Sequence, residues 1–165
     1  MAIEPALVRD VMVTDVQCCS PDDTLRDALD IMLEQGLTTL PVVDPAQNCL
    51  GVIAAVDLLA PSDEDELDED VRRLTTQSGD ENGYVAETVQ TRGLAAHVVE
   101  DFMSSRVIAV APDTELHNAA GVMLKNQIHH LVVIDAQDKL IGILSTMDIL
   151  EVYAQEGQTG EFAEA

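Results

Sequence analysis

Aromatic side chains are almost missing from this chain: 2% of its 165 residues, two Phe and two Tyr with no Trp. A core must therefore be assembled from Val, Ile, Leu, Met and Ala, and a hydrophobic content of 47% supplies enough of them. Basic residues are nearly as scarce, 8 Lys and Arg against 31 Asp and Glu, for a formal net charge of −23. Nucleic-acid binding depends on Lys and Arg neutralising phosphates, so no DNA or RNA partner is expected. The same charge sets a condition on small ligands, because an anion needs a local positive site to overcome the overall field. A solvated acidic surface, screened by salt, explains the charge without any partner, and a basic protein partner stays open. Cysteine is limited to Cys18, Cys19 and Cys49, odd in number and without metal-ligand spacing. That argues against a disulfide framework and reads as small thiols on strands. Long apolar runs are absent too: residues 50–60 are broken by Asp57 and fall well short of the roughly 20 residues of a membrane span. No charged-then-apolar signal pattern opens the sequence. The expectation is a soluble, cytoplasmic protein with no membrane contact.

What the chain has instead is repetition. Residues 8–59 align with residues 99–150 at a constant offset of 91, without a gap. Val8, Asp10, Met12, Val16, Pro21, Asp22, Leu25, Ala28, Met32, Leu33, Leu40, Val42, Asp44, Gly51, Asp57 and Leu59 each meet the identical residue. Other pairs are conservative, such as Ile31 with Val122 and Ile53 with Leu144. A unit shorter than about 60 residues buries little surface alone, and repeated units bury their apolar faces against one another. Two copies forming one pseudo-symmetric body is the expected architecture.

Each copy reads as strand, helix, strand, strand, helix. In the first, Ser20-Pro21-Asp22-Asp23-Thr24 is a turn running into a helix N-cap. Leu25, Ala28, Leu29, Met32 and Leu33 follow as one apolar helical stripe, and Gly36 ends the helix as a left-handed residue. Residues 40–43 and 49–53 are short strands around a polar turn at 44–48, and a helix begins near Ala54 with Asp57 in its first turn. The second copy predicts a helix over 115–126, strands over 131–134 and 140–144, and a helix from Ser145. A short strand, 16–19 or 107–110, precedes each unit. Between the copies, 61–70 is an acidic run and 77–83 is rich in Gly, Asp and Asn, which predicts a mobile linker. Apolar residues at helical spacing over 85–103 predict a connecting helix, and 155–165 reads as a frayed polar tail. The division is repeat one at 5–60, linker and connecting helix at 61–98, repeat two at 99–152 and tail at 153–165, in an α/β (α+β) fold.

The sharpest local signal closes each copy. Leu140-Ile141-Gly142-Ile143-Leu144-Ser145-Thr146-Met147-Asp148 and Cys49-Leu50-Gly51-Val52-Ile53-Ala54-Ala55-Val56-Asp57 both place Gly on a strand and Asp six residues later, at a helix start. Val11-Met12 or Phe102-Met103 stands ahead of a short strand, with a Pro-Asp turn and then Leu-Pro-Val-Val-Asp or Leu-Val-Val-Ile-Asp. This pattern resembles a tandem cystathionine-β-synthase (CBS) domain pair, over about residues 5–152. The resemblance implies a pseudo-twofold pair in which each repeat is β-α-β-β-α, with a three-stranded sheet, two helices and clefts between the repeats. It further implies an adenine nucleotide (AMP, ADP or ATP) in those clefts, with S-adenosylmethionine as an alternative and no obligatory cofactor. A homodimer and an unidentified regulated protein complete the implied partners.

By the same resemblance, Asp57 and Asp148 hold ribose hydroxyls, and Ser145, with Thr146 beside it, touches phosphate. The residues themselves allow a duller account. Serine before a helix with an acid three residues on is close to a capping box, which stabilises a helix by about 1 kcal/mol and binds nothing. The first copy bears on this choice, because it keeps Asp57 but has Ala54 at the cap. An acid retained without its capping partner points to another task, although an Asp in the first turn also suits the helix dipole. A free helix N-terminus is itself a phosphate site. Ile128-His129-His130 precedes a strand where related nucleotide-sensing pairs carry His-Arg. The resemblance then lets His129 and His130 reach a nucleotide held by Asp57, and their counterparts Thr38 and Thr39 one held by Asp148. Adjacent strand residues face opposite ways, so the two histidines share a task only if the strand starts later. As a metal pair they lack an acid or Cys at matching spacing. The adenine pocket falls to Val16, Gln17 and Cys18 in one cleft and Val107, Ile108 and Ala109 in the other, residues that serve equally well as core. Arg106 adds charge where Asp15 in the first copy subtracts it, which favours the cleft anchored by Asp148 for an anion. Val132, standing where the first copy has Pro41, removes only a little rigidity.

No nucleophile–base pair, Gly-rich phosphate loop or metal cluster is legible, and the length leaves no room for a catalytic domain beside the pair. An enzyme is therefore not expected. Two classes remain, a nucleotide-binding regulatory module and a ligand-free interaction module with degenerate clefts.

Overall fold

Local chemistry starts and stops each element. A computed structural model describes residues 6–59 and 93–157. After a short helix α1 (Val8–Val11), Thr24 caps α2 (Leu25–Gln35): its Oγ1 accepts the Asp27 N–H at 3.1 Å, and the Asp27 carboxylate accepts the Thr24 N–H at 2.9 Å. That hydroxyl also donates to the same carboxylate, and these bonds hold the Asp27 carboxyl below its usual range. Gly36 closes the helix at φ 65°, ψ 34°, and the Leu37 N–H returns to the Met32 carbonyl at 2.9 Å. Strands β1 (Thr39–Val43) and β2 (Cys49–Ala54) follow, and a 3₁₀ helix (Ala55–Leu59) ends the first copy. Two 3₁₀ turns (Leu94–Ala96 and Val99–Asp101) lead to β3 (Ala109–Val110), α3 (Leu116–Asn126), β4 (His130–Ile134), β5 (Leu140–Ser145) and α4 (Thr146–Gly157).

The repeat extends to unusual backbone. Gln127 takes the left-handed conformation of Gly36 (φ 55°), and Gln47 and Asp138 match one another in the strand turns at φ 67° and 60°. In those turns one carboxylate oxygen organises the backbone. Asp44 Oδ1 accepts the N–H groups of Ala46 and Asn48 at 2.9 and 2.8 Å, and Asp135 Oδ1 accepts those of Gln137 and Lys139 at 2.8 and 2.9 Å.

The chain divides into two compact units whose boundaries differ from those of the repeats. The unit carrying Asp57 runs from Gln17 to Val107, and the unit carrying Asp148 joins residues up to Val16 with residues from Ile108 onward. Each unit is therefore covered by the lead segment of the other copy. In the Asp148 unit, Val8 donates to the Thr114 carbonyl at 2.9 Å, and Val13 and Ile143 exchange backbone bonds of 2.9 and 3.0 Å. In the Asp57 unit, Val99 donates to the Asp23 carbonyl at 2.8 Å, and Val52 and Ser104 exchange bonds of 3.0 and 2.9 Å. Val99 joins the core formed by Leu25, Leu29, Met32, Leu40, Val42 and Ile53. Val8 joins that of Leu116, Met123, Leu131, Val133 and Leu144.

The fold is α+β, with strands and helices in the expected order, but several elements differ from expectation. A three-stranded sheet, β3-β4-β5, forms in the Asp148 unit, while among the described residues the sheet of the Asp57 unit is β1-β2. Of the strand expected over 16–19, only Cys19 pairs, in a single parallel bridge with Val42. Pro41 accounts for this. Cys19 donates to the Pro41 carbonyl and accepts from Val43, so the next rung requires an N–H from residue 41, which proline lacks. Loss of that rung, rather than of rigidity, is what separates Pro41 from Val132. The helix expected from Ala54 in the first copy is, within the described residues, 3₁₀ over Ala55–Leu59. The connecting helix expected over 85–103 is, within 93–103, a pair of 3₁₀ turns, and the tail expected from 155 begins inside α4. The acidic run at 61–70, the stretch at 77–83 and the residues after 157 lie outside the described residues. Among the described residues no helix is long and apolar enough to cross a membrane.

Gly51 and Gly142 admit the two lead segments. A Cβ on Gly51 would stand 2.7 Å from the Ser104 carbonyl oxygen and 2.8 Å from Met103 Sδ. On Gly142 it would meet Met12 Sδ at 2.6 Å, and backbone, the Val13 carbonyl oxygen, only at 3.2 Å. A flexible methionine end can move and a paired backbone cannot. Gly51→Ala is therefore expected to destabilise by about 2–3 kcal/mol and Gly142→Ala by about 1 kcal/mol, read as midpoint shifts in urea denaturation. Equal losses would contradict this account.

Candidate functional site

The twin helix starts carry the candidate site. In the Asp148 unit, Ser145 ends β5 and precedes α4. Asp148 Oδ2 accepts the Ser145 N–H at 2.7 Å and its hydroxyl at 2.8 Å, while the Asp148 N–H donates to Ser145 Oγ at 3.2 Å. This is a complete capping arrangement. In the Asp57 unit, Ala54 offers no hydroxyl, yet Asp57 Oδ2 accepts the Ala54 N–H at 2.8 Å. The acid half of the cap thus persists without its side-chain partner, because an acid at this position serves the backbone amide whatever residue stands there. Retention of Asp57 beside Ala54 therefore does not by itself require another task, which corrects the sequence argument. Both carboxylates keep Oδ1 without a hydrogen bond among the described residues, and both aspartates are half-buried.

A second strand runs beside each helix start. The Thr146 N–H donates to the His129 carbonyl at 3.0 Å, and the Ala55 N–H to the Thr38 carbonyl at 2.9 Å. The register sets His130 directly opposite Ser145 and Thr39 directly opposite Ala54, so each pair shares a sheet face. β4 begins at His130, so His129 lies just before the strand. His129 is exposed and His130 half-buried. Burial pushes the His130 pKa below the usual histidine range; the neighbouring His129 acts in the same direction, and the Asp148 carboxylate opposes both.

The remaining expected residues divide between the units. Val16, Ile108, Ala109 and Ile128 belong with Ser145, Thr146, Asp148, His129 and His130. Gln17, Cys18, Arg106 and Val107 belong with Thr38, Thr39 and Asp57. Each expected adenine triad, Val16-Gln17-Cys18 or Val107-Ile108-Ala109, straddles a point where the chain passes from one unit to the other. Arg106 is exposed and falls in the unit of Asp57, whereas the sequence pairs it with Asp148. The units likewise group His129 and His130 with Asp148 and Thr38 and Thr39 with Asp57, the reverse of the pairing that the resemblance implies. The three cysteines are free, with Cys19 buried and the others half-buried. Burial, aided by Asp23, raises the Cys19 thiol to about 12 and raises Cys18; burial also raises Cys49. All three stay protonated near neutral pH, the opposite of an activated nucleophile.

The CBS domain model matches the chain twice, over residues 8–62 and 99–155. CBSX2, a chloroplastic CBS domain-containing protein of Arabidopsis thaliana, is 29% identical over 142 residues, covering 82% of this chain and 57% of CBSX2. Its crystal structure superposes with a TM-score of 0.71 at 26% identity, covering 93% of this chain and 98% of that one. A crystal structure of CBSX2 in complex with AMP gives 0.68 at 27% identity, covering 92% and 98%. Inosine-5′-monophosphate dehydrogenase of Methanocaldococcus jannaschii is 27% identical over 142 residues, which cover 86% of this chain but only 22% of the enzyme. The chain thus spans a fifth to about three-fifths of these curated relatives. A chloroplastic relative also means that the likeness assigns no compartment to this chain.

Two outcomes follow from the caps and from His130. Ala54→Ser should complete the cap in the Asp57 unit and stabilise by about 1 kcal/mol, whereas Ser145→Ala should cost about as much, both read by urea denaturation. His130 has a lower pKa folded than unfolded, so the unfolded chain takes up its proton first as pH falls. Its contribution to stability is whole above about pH 7 and is lost as pH drops through the ordinary histidine value toward the folded one. His130→Gln should remove that part of the acid sensitivity, measured as unfolding free energy against pH.

Proposed function

Because the chain belongs to the CBS domain family, we propose that it is a regulatory module that binds an adenine nucleotide, AMP first among the candidates, and passes its bound state to a partner protein. The observation that carries this reading is the pair of twinned carboxylates, Asp57 and Asp148, each at a helix start with one oxygen engaged as a cap and Oδ1 left to accept ribose hydroxyls. CBSX2, with AMP in its crystal structure, supplies the ligand class. Ser145, Thr146, His129 and His130 stand around Asp148, and Thr38, Thr39 and Arg106 belong to the unit of Asp57. The module is not an enzyme in this reading; its thiols are held protonated, and chemistry is left to whatever it regulates. A homodimer fits the apolar residues that α4 exposes, Met147, Leu150 and Tyr153 at 68%, 58% and 55%.

One observation favours the second reading, a ligand-free interaction module: both carboxylates already cap their helices, so neither needs a nucleotide to explain it. Thermal shifts with AMP, ADP, ATP and S-adenosylmethionine separate the two. AMP at 100 times its dissociation constant should stabilise by about 2.7 kcal/mol, a rise of roughly 5–11 °C for a chain this size. Asp57→Asn and Asp148→Asn keep an acceptor for the cap and remove the charge. The double variant should fold and lose the shift. A flat panel on folded wild-type protein would establish the interaction module instead.

A further inference from the structure

In the Asp148 unit the hydroxyl of Ser145 is already committed. Its hydrogen goes to Asp148 Oδ2 at 2.8 Å, and its lone pair takes the Asp148 N–H at 3.2 Å. The Ser145 and Thr146 amides are also used, by Asp148 and by the His129 carbonyl. A phosphate arriving here meets a carboxylate, a serine whose hydroxyl and amide are both engaged, and neutral donors only on Thr146 and the first turn, on a chain of net charge −23. The side chain placed to supply both a hydrogen and a positive charge is His130, directly across the sheet from Ser145 and on the same face.

We propose that nucleotide binding in the Asp148 unit is proton-linked, His130 taking up a proton as a phosphate-bearing ligand binds, so that affinity for AMP relative to adenosine rises as the pH falls. The proposal rests on the reading above that this unit holds an adenine nucleotide. The titratable and charged groups on the surrounding elements are His129 beside it, Asp148, Glu151, Tyr153 and Glu156 on α4, His117 and Lys125 on α3, and Arg9 and Asp10 on α1; β3 and β5 carry none. Of these, His129 and Asp148 act on the imidazole. Half-burial and His129 keep His130 neutral in the free protein near pH 7 and above. A bound phosphate provides an anion that raises its pKa, and a ligand that raises a pKa binds more tightly as protons become available. Adenosine carries no phosphate and gains nothing from the proton.

The test is isothermal titration of the full chain with AMP and with adenosine between about pH 8 and about pH 6.5, for wild type and His130→Gln. The AMP phosphate itself titrates near pH 6, and comparison with the variant cancels that contribution. In wild type, the AMP-to-adenosine affinity ratio should rise about threefold or more over this range, within the limit of about tenfold per pH unit set by one proton. The variant should lack that rise and keep only the dependence that the AMP phosphate itself contributes. NMR titration of the imidazole, assigned by its disappearance in the variant, should place the His130 pKa below the ordinary histidine value in free protein and move it upward with AMP. AMP binding with the same pH profile in both proteins, or an imidazole pKa unmoved by AMP, would overturn the proton link and leave the nucleotide reading standing. Failure of AMP and adenosine to bind at any pH would overturn both.

Discussion

The close approach of a lead segment to a strand glycine is the contact on which the rest of each unit depends. Val13 lies against Ile143 beside Gly142, and Ser104 against Val52 beside Gly51, each through a reciprocal pair of backbone bonds. A sheet of two or three short strands has an unpaired outer edge. The lead segment covers it and seats Val8 or Val99 in the core beneath. The covered strand then runs three residues on to Ser145 or Ala54, where the helix turns away. The positions of both aspartates, six residues after the glycines, follow from where the strand is held.

At those helix starts, stability and the proposed binding draw on the same carboxylate. One oxygen of Asp148 or Asp57 satisfies the orphan amide at the end of its strand, which fixes the direction of the other oxygen. A ligand group positioned by a cap on a rigid strand loses little freedom on binding. The same economy leaves few donors over. In the Asp148 unit Ser145 is fully engaged by its cap, and the half-buried His130 opposite it is held toward the neutral form by burial and by His129.

Much of this is legible in the order of residues. The constant offset between the copies anticipated twin helices, twin strand pairs and twin helix starts, because the apolar stripes and turn residues recur in register. It also carried the left-handed residues, with Gln127 standing where Gly36 stands. The exchange of lead segments was not legible, since nothing in the order of residues says which body Met12 or Met103 covers. The loss of a strand at 16–19 was in principle readable from Pro41, but only once its neighbour in the sheet was known to need that amide. The cap on Asp57 is not visible in residue types, because Ala54 lacks a hydroxyl and the bond that matters is to its backbone N–H.

The exchange of covers also bears on how such a protein is divided or joined. Residues 60–92 separate the copies in sequence, yet a cut there yields fragments each holding the other unit's edge strip and lacking its own. Each fragment would leave its own strand edge uncovered, so neither is expected to stand as an autonomous module. Shuffling or fusion is then expected to preserve the pair whole.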